Sequence, residues 1–276
     1  MDQKRTNKNN PLSFLEKFYI NYIGWRRRKY AMYKVLENWE DCFSSEHEKY
    51  IFRNGMELRF EDKAVAEHIF DEIFINNCYH IPKGLDMDTI IDVGANIGFF
   101  SHYAIMKYKN AKIYSVEPDQ RNYKVLNNNI RLNNYEKRII TYNNAMFSGK
   151  AKDVSFFQSK HNSGWSSLYK EEGAKDGNEI TIKTISMSEF LQKNNIEKIN
   201  FLKLDVEGAE YDIILNDDFI SKYPINYLVV EVTKKVPKNI EHTYDDLTSY
   251  LRKHFKRVSI WKPSESSVYP VLICEQ

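Results

Sequence analysis

One ten-residue stretch constrains the fold of this chain more than any other. Residues 89–98 read Thr-Ile-Ile-Asp-Val-Gly-Ala-Asn-Ile-Gly, an apolar strand that ends on Asp92 and then a turn with glycines four apart. A helical pattern follows directly. A second strand, 111–116, ends on Glu117, nineteen residues after Gly98, and is stopped by Pro118. A strand, a glycine turn at a helix start and an acid at the next strand tip are typical of the nucleotide-cofactor half of a doubly wound sheet.

The spacing of the turn distinguishes between cofactors. Asn96 occupies the middle of a Gly-x-x-x-Gly turn, so the glycine that brings backbone against a dinucleotide pyrophosphate is absent. S-adenosylmethionine has no pyrophosphate; Asp92 suits its ammonium end, and Glu117 suits its ribose hydroxyls. We therefore predict S-adenosylmethionine as the cofactor. Glycines that serve only helix packing are the alternative, and the apolar run is too short for a membrane helix.

A second motif indicates the family that this chain resembles. Residues 199–204 read as a buried strand that runs into Asp205-Val-Glu-Gly-Ala-Glu. With the motifs at 92–98, 116–118 and 164–168, the run Leu-Lys-Leu-Asp-Val-Glu-Gly-Ala-Glu at 202–210 closely resembles the FkbM-type methyltransferase family, from about residue 50 to the C-terminus. The resemblance implies a class I S-adenosylmethionine-dependent fold and, usually, O-methylation of sugar-like or other hydroxylated metabolites.

The chain departs from the family pattern at one place. Such proteins often carry an acid pair after a leucine just before the fourth strand, where this chain has Met-Ser-Glu-Phe at 187–190. Ser186 and Glu189 have the spacing of a helix capping box. We interpret the change as structural.

The remaining pattern predicts an α/β fold: a class I methyltransferase, Rossmann-like doubly wound sheet, mostly parallel with an antiparallel last strand. Strands are predicted at 89–93, 112–116, 139–142, 154–157, 180–185, 199–204, 227–232, 258–261 and 268–274. An N-terminal extension is expected to add a helix over 14–39 and a hairpin over 50–60 that turns at Asn54-Gly55. An amphipathic helix is predicted over 64–79. We divide the chain into a basic helical extension, 1–49, and a methyltransferase domain, 50–276.

Charge is distributed unevenly. The 276-residue chain has a net charge of +2, yet residues 1–34 carry nine Lys or Arg against two acids, so the remainder is at −5. A basic arm of this kind can dock on its own acidic body, a partner subunit, an anionic membrane or an acidic glycan. Trp25 beside Arg26-Arg27-Arg28 suits lipid headgroups. Aromatic residues lie all round the helix, so packing on the domain or on a partner subunit is favoured; peripheral membrane contact and a homo-oligomer stay open.

The cysteines indicate the compartment. Cys42, Cys78 and Cys274 are odd in number and lack Cys-x-x-Cys spacing, which excludes a disulfide framework and a zinc site of the usual spacing. Glu16 and Lys17 interrupt the early apolar stretch, so no signal peptide is predicted. We expect a cytoplasmic protein, with the inner face of the membrane as the other location.

Carboxylates at strand ends are the candidate catalytic residues. Asp205, at the tip of the fourth strand, is predicted to be the general base or the anchor of an acceptor hydroxyl; a helix-capping role is the alternative. Glu231, at the end of the fifth strand, could join Asp205 around Mg²⁺ or Ca²⁺, but a divalent cation is not expected and no metal site is predicted. His161 is the alternative base if its loop closes.

The polar loop 159–178 is the candidate substrate surface. Loops of this length often form lids or binding surfaces, and the family resemblance places this one over the active site. Trp165 can stack on a sugar, and Ser163 and Ser166 can hydrogen-bond its hydroxyls; a solvated loop is the alternative. Asn144, after the third strand, is positioned to read the adenine edge. The predicted cofactor-binding residues are Asp92, Gly94, Ala95, Asn96, Gly98, Glu117, Asn144 and Ala145.

Other functional classes fit less well. A nicotinamide-dependent oxidoreductase would need the missing glycine and a Tyr-x-x-x-Lys catalytic pair beside a substrate pocket. An amino-methylating nucleic-acid enzyme would carry an Asn/Asp-Pro-Pro-Tyr/Phe motif where this chain has Asp205-Val-Glu-Gly, and a carboxylate-rich mouth repels phosphates. A small-molecule or glycan acceptor is therefore expected. The alternative function is a catalytically decayed cofactor-binding module that acts as an interaction protein, although the motif residues are intact.

Overall fold

A seven-stranded sheet forms the centre of the molecule. The computed structural model describes residues 14–44, 46–160, 166–170, 177–233, 241–262 and 270–276, with side chains from residue 24 onward. In chain order the elements are α1 Phe14–Val35, β1 Lys49–Ile51, β2 Glu57–Arg59, α2 Lys63–Phe70, β3 Thr89–Val93, α3 Phe99–Lys107, β4 Lys112–Val116, α4 Gln120–Leu132, β5 Ile139–Tyr142, β6 Ala145–Met146, β7 Asp153–Gln158, β8 Asn178–Ile185, α5 Met187–Lys193, β9 Ile199–Leu204, α6 Glu210–Asn216, α7 Phe219–Lys222, β10 Ile225–Glu231, α8 Tyr244–His254, β11 Arg257–Trp261 and β12 Val271–Glu275.

The order of the strands confirms the predicted fold class. The sheet runs β11-β12-β10-β9-β3-β4-β5. Strands β10, β9, β3, β4 and β5 pair in parallel, and β12 runs antiparallel between β10 and β11. The order in which strands are added reverses at β3: β4 and β5 extend the sheet on one side of β3, and β9 and β10 extend it on the other. Ligands of doubly wound sheets bind at the carboxyl ends of the strands at such a switch point. The topology is that of class I methyltransferases.

Helices cover both faces of the sheet, which explains the nearly continuous apolar strands. One core contains Ile90, Ile113 and Phe201 with residues of α2, α3 and α4. The other contains Ile91, Leu202 and residues of α5 to α8. Successive strand residues therefore contribute to opposite cores.

The predicted helix over 64–79 is wrong in its second half. The α-helix begins at the Asp62 cap and ends at Phe70, and a π-helical turn, Asp71–Ile75, replaces its continuation. This wider turn keeps Phe70 and Phe74 stacked at 5.0 Å within an aromatic cluster. Asn77, with φ of 48°, then ends the helical path. The turn directs residues 72–79 towards the strand ends of the sheet.

The N-terminal helix packs on the domain. Arg28 of α1 contacts Asp71 at 2.8 Å and Glu67 at 3.3 Å, and Met32 is fully buried. These contacts support the interpretation that the helix packs against its own chain. Trp25 is 48% exposed, and its contact with a membrane stays a prediction. None of the helices in the described ranges has the length and apolar character of a membrane span.

Side chains cap the starts of α8 and α5. Thr243 and Asp246 form a capping box at the start of α8. Ser186 accepts the Glu189 N–H at 3.1 Å, which caps α5 from one side only. The strands predicted around the polar loop pair as an antiparallel hairpin, β7 with β8.

Candidate active site

A cavity of about 630 Å³ opens at the carboxyl ends of β3, β4, β9 and β10. Residues of the β3–α3 turn, the β4 tip and the β5–β6 segment line one part of it. Residues of α2 and its π-helical turn, with β10, β11 and β12, line the other. Asp205 lies in the wall between these two parts. We call the first part the motif end and the second part the helix end.

The glycine turn is wedged between neighbouring strands. Gly94 has φ of +78°, and a Cβ added there would lie 1.7 Å from the Asp205 carbonyl oxygen. The N–H groups of Gly94 and Ala95 both donate to the Val116 carbonyl, at 2.9 and 3.0 Å. The Asp205 N–H donates to the Val93 carbonyl at 3.1 Å. Only glycine allows this close approach, so the turn and the start of the Asp205 segment hold each other in place.

Gly98 has a separate steric role. It caps α3 with φ of +95°, and a Cβ there would meet Leu126 Cδ1 of α4 at 2.6 Å. Gly98 is not among the residues that line the cavity. Gly98 therefore allows α3 and α4 to pack closely, as in the alternative that the glycines serve helix packing.

Glu117 is the carboxylate of the motif end. It is 5% exposed, and its two oxygens accept the N–H groups of Asn96 and Asp119, each at 2.8 Å. Burial raises the pKa of Glu117 to about 8, although these two hydrogen bonds lower it. Asn143 donates to the Glu117 carbonyl at 2.9 Å and so holds the strand tip. Each carboxylate oxygen keeps a lone pair for a further donor.

Asn144 and Ala145 line the same end, where Pro118, Met146 and Phe156 provide apolar surface. The Asn144 amide donates to the Lys183 carbonyl at 3.4 Å, a long hydrogen bond. The cavity wall here therefore combines apolar surface with the Asn144 amide, which suits a flat heterocycle.

Ser166 lies at the motif end, beside the segment that follows Glu117. Its hydroxyl donates to Asp119 Oδ2 at 3.2 Å and accepts the Ser159 N–H at 3.1 Å. His161, Ser163 and Trp165 lie outside the described residues. The predicted substrate role of the loop therefore stays a prediction, and Ser166 contacts groups next to the predicted cofactor site.

Asp92 is buried and does not line the cavity. It is 0% exposed, and its carboxylate accepts from Ser101 Oγ at 2.6 Å and from Lys203 Nζ at 3.1 Å. The sheet register pairs Asp92 directly with Lys203 on β9. This placement gives Asp92 no surface for an ammonium group of a ligand; it acts on the cavity through Lys203.

Lys203 connects three groups of the site. Its ammonium lies 3.1 Å from Asp92, 2.9 Å from the Gly94 carbonyl and 3.3 Å from Asp205 Oδ2. Burial opposes its charge, but the Asp92 and Asp205 carboxylates hold the pKa of Lys203 above its ordinary value. The Tyr79 ring packs over the ammonium, with 5.1 Å to the ring centroid.

Asp205 is held by one oxygen. Tyr79 donates its hydroxyl to Asp205 Oδ2 at 2.9 Å, and Lys203 approaches the same oxygen. The Asp205 side chain keeps 25% exposure and lines the cavity. Its other oxygen is available to a ligand. The site thus presents an oriented carboxylate at the junction of the two ends.

The helix end is acidic. Glu231 lies at the end of β10 and Glu72 in the π-helical turn, and both line the cavity. Burial and the charges of Asp205, Glu72 and Glu207 raise the pKa of Glu231 well above its ordinary value. Burial also raises the pKa of Glu72. The described residues contain no group of three or more side chains placed to hold a metal ion. Independence from a divalent cation stays a prediction.

Glu210 differs from these acids because it is structural. It is fully buried and accepts the N–H groups of Thr233 at 2.6 Å and Gly208 at 2.9 Å. Burial raises its pKa to about 7. The α-helix begins at Glu210, so Glu207 lies in the preceding turn, with φ of 49°, and not in the first helical turn.

The comparison with protein families decides the assignment. The model of the methyltransferase FkbM domain matches residues 92–258, which is more than half of the chain. The chain belongs to the FkbM methyltransferase family. The resemblance expected from the motifs is confirmed, and with it a family of S-adenosylmethionine-dependent methyltransferases.

The chain is also similar to named relatives and to a solved structure. The chain is 30% identical over 154 residues to the hexuronic acid methyltransferase AglP of Haloferax volcanii. This match covers 55% of this chain and 59% of AglP. It is 22% identical over 228 residues to the 31-O-demethyl-FK506 methyltransferase FkbM of Streptomyces tacrolimicus, covering 73% and 85%. The METTL16 methyltransferase domain is 12% identical, with 90% and 91% covered and a TM-score of 0.47.

The FkbM-matched segment contains only part of the cavity wall. It includes the glycine turn, Glu117, Lys203, Asp205 and Glu231, whereas Tyr79, Glu72 and Trp261 lie outside it. Sequence reasoning missed Lys203, although a lysine within an apolar strand was a usable signal. It also missed Tyr79, which reaches Asp205 across 126 residues of sequence and gave no local signal.

Proposed function

We propose that this protein is an O-methyltransferase that uses S-adenosylmethionine to methylate a hydroxyl of a sugar or another small hydroxylated acceptor. The observation that carries the proposal is the Asp205 carboxylate, oriented by Tyr79 and Lys203 and open to the cavity on its other side. The names of two relatives specify a sugar acid in one case and a methylated oxygen in the other.

The motif end fits the proposed cofactor. Glu117, which keeps lone pairs at the β4 tip, suits the two ribose hydroxyls. The apolar wall of Pro118, Met146 and Phe156 with the Asn144 amide suits adenine. The Gly94–Ala95 turn lines the space beside Asp205, where a reactive sulfonium would face the acceptor. When bound there, S-adenosylmethionine supplies the methyl group.

Asp205 would act on the acceptor. Its free oxygen accepts the hydrogen bond of the acceptor hydroxyl and takes the proton as the oxygen is methylated. Such general-base assistance typically contributes about 10²–10⁴-fold in rate. Correct alignment of the reacting groups can contribute roughly 7–11 kcal/mol at best. Tyr79 and Lys203 hold the second oxygen of Asp205, so they fix its direction without contacting the acceptor.

The cofactor assignment can be tested by ligand-induced stabilisation. We expect S-adenosylmethionine and S-adenosylhomocysteine, but not NAD, to raise the unfolding temperature of the protein. At about 100 times the dissociation constant, a ligand stabilises the native state by about 2.7 kcal/mol. Glu117→Ala should abolish this shift. The matched variant Glu197→Ala, at an exposed position, should keep it.

The catalytic assignment needs a second measurement. Asp205→Asn should keep the cofactor-induced shift and lose methyl transfer to a hydroxylated acceptor by at least about 100-fold. If Asp205→Asn transfers methyl groups as fast as the wild type, Asp205 is not the base. If the wild type binds neither adenosyl compound, the decayed-module alternative replaces this proposal.

A further inference from the structure

The helix end of the cavity carries acids on two sides. Glu231 comes from the end of β10, and Glu72 comes from the π-helical turn after α2. These elements are separate in sequence and fold, so their carboxylates are brought to one space by the tertiary structure alone. Asp205 borders the same space.

The positive groups at this end are already engaged. Among the described residues that line the cavity, the basic side chains are Lys203 and His68. Lys203 is shared by Asp92, Asp205 and the Gly94 carbonyl. His68 lies 3.3 Å from Glu72, but it is 70% exposed, and solvent screens such a pair strongly. Glu231 receives no hydrogen bond from any described residue.

This arrangement has a consequence for any ligand. Adding a carboxylate beside Glu231 and Glu72 would increase the repulsion that these acids already exert on each other. An ammonium group placed between them would form charge-assisted hydrogen bonds and relieve it. The nearby apolar wall, with Ile69, Ile73 and Trp261, offers surface to the carbon skeleton of a ring.

We propose that Glu231 and Glu72 select an acceptor with a protonated amino group near the methylated hydroxyl, such as an amino sugar, and reject acceptors with a carboxylate there. The inference rests on the proposed O-methyl transfer. It also separates this chain from AglP, which is named for a hexuronic acid.

The test compares acceptors sorted by charge. Formation of S-adenosylhomocysteine is measured with three pools of monosaccharides at neutral pH: amino sugars, neutral sugars and sugar acids. Transfer to any pool tests the proposed function, and the ranking of the pools tests this inference. We expect kcat/KM for amino sugars to exceed that for sugar acids by at least about tenfold, which corresponds to about one well-placed charge interaction.

Isosteric variants identify the residues responsible. Glu231→Gln and Glu72→Gln should each reduce the preference for amino sugars, and Glu231→Gln should reduce it more because Glu231 receives no hydrogen bond from the described residues. The control Glu197→Gln removes the same charge at an exposed site and should leave the ranking unchanged. The cofactor-induced thermal shift verifies that each variant is folded. Preferred transfer to sugar acids, or an unchanged ranking in both variants, overturns the inference and leaves O-methyl transfer intact.

Discussion

The carboxylates at the motif end and at the helix end of the cavity differ in the hydrogen-bond donors that they receive. At the motif end, Glu117 is buried, and two backbone N–H groups already donate to it. At the helix end, Glu231 and Glu72 lie together, and Glu231 lacks a donor within the described structure. The first arrangement is complete before a ligand arrives. The second leaves Glu231 without a donor among the described residues, and a cationic ligand would favour its ionised form.

This difference follows from where the residues come from. The motif end is built from one continuous strand–turn–helix segment and the neighbouring strand tips. The helix end is assembled from α2, β10 and β11, which the chain brings together over long distances. Under the proposed function, the cofactor would bind at the first end, and an acceptor that differs between relatives would bind at the second.

Replacing Lys203, which lies between the two ends, should have the largest effect on the free energy of unfolding. Lys203→Met leaves the fully buried Asp92 without its cation, and breaking a buried pair of this kind typically costs about 3–5 kcal/mol. Urea unfolding measures the loss. The double variant Asp92→Asn with Lys203→Met should recover part of it. A Lys203→Met protein as stable as the wild type would show that Asp92 does not depend on this lysine for its stability in the core.

Adding a side chain at Gly94 should have the next largest effect on the free energy of unfolding. Gly94→Ala forces a Cβ against the Asp205 carbonyl and adds backbone strain, at a combined cost of about 3 kcal/mol. Gly149→Ala is the matched control, because Gly149 has φ of +79° but no atom within 4 Å of the added Cβ. It should cost about 1 kcal/mol. Equal losses in urea unfolding would refute the steric role of Gly94.

The buried acids predict a dependence of stability on pH. Because the native pKa of Glu117 is raised to about 8, the folded protein holds a proton that the unfolded chain releases above about pH 4.5. Stability should therefore fall as the pH rises from 5 to 8, and Glu210, with a pKa of about 7, adds a fall of the same sign.

The matched variant isolates the contribution of Glu117. Glu117→Gln should flatten this slope by up to about 1.4 kcal/mol per pH unit, measured by urea unfolding at several pH values. Glu197→Gln should keep the slope of the wild type. A slope that Glu117→Gln leaves unchanged would mean that Glu117 is ionised in the native protein throughout this range.

The smallest effect is expected at Tyr79. Tyr79→Phe removes the hydroxyl that donates to Asp205 and should cost about 1 kcal/mol of stability. We expect kcat/KM for methyl transfer to fall about tenfold, with the cofactor-induced thermal shift retained. Tyr103→Phe loses only a 3.4 Å contact with Asn77 and serves as the control. Equal rates for both variants would remove Tyr79 from the positioning of Asp205.

Much of the fold could be predicted because its signals are local. The strand at Thr89–Val93 has the predicted bounds, since Gly94 marks where the apolar run stops. The π-helical turn could not be predicted, because it depends on aromatic packing between α2 and residues elsewhere in the chain.

The residues of the candidate site also differ in whether local sequence signals could identify them. The motif residues at 92–98 and 202–210 led to the cofactor and to Asp205. The structure adds that Asp92 faces Lys203 and not the cavity, which only the register of β3 against β9 reveals. Tyr79 and Glu72 could not be found from sequence, because no spacing rule connects them to a strand tip more than 120 residues away.

The carbonyl of Asp205 occupies the space that a side chain at position 94 would need. This contact joins the cofactor turn and the proposed base into one mechanical unit, so neither can be adjusted alone by substitution. Under the proposed function, substitutions that change acceptor specificity are expected in α2, β10 and β11 and not at the contact between Gly94 and Asp205.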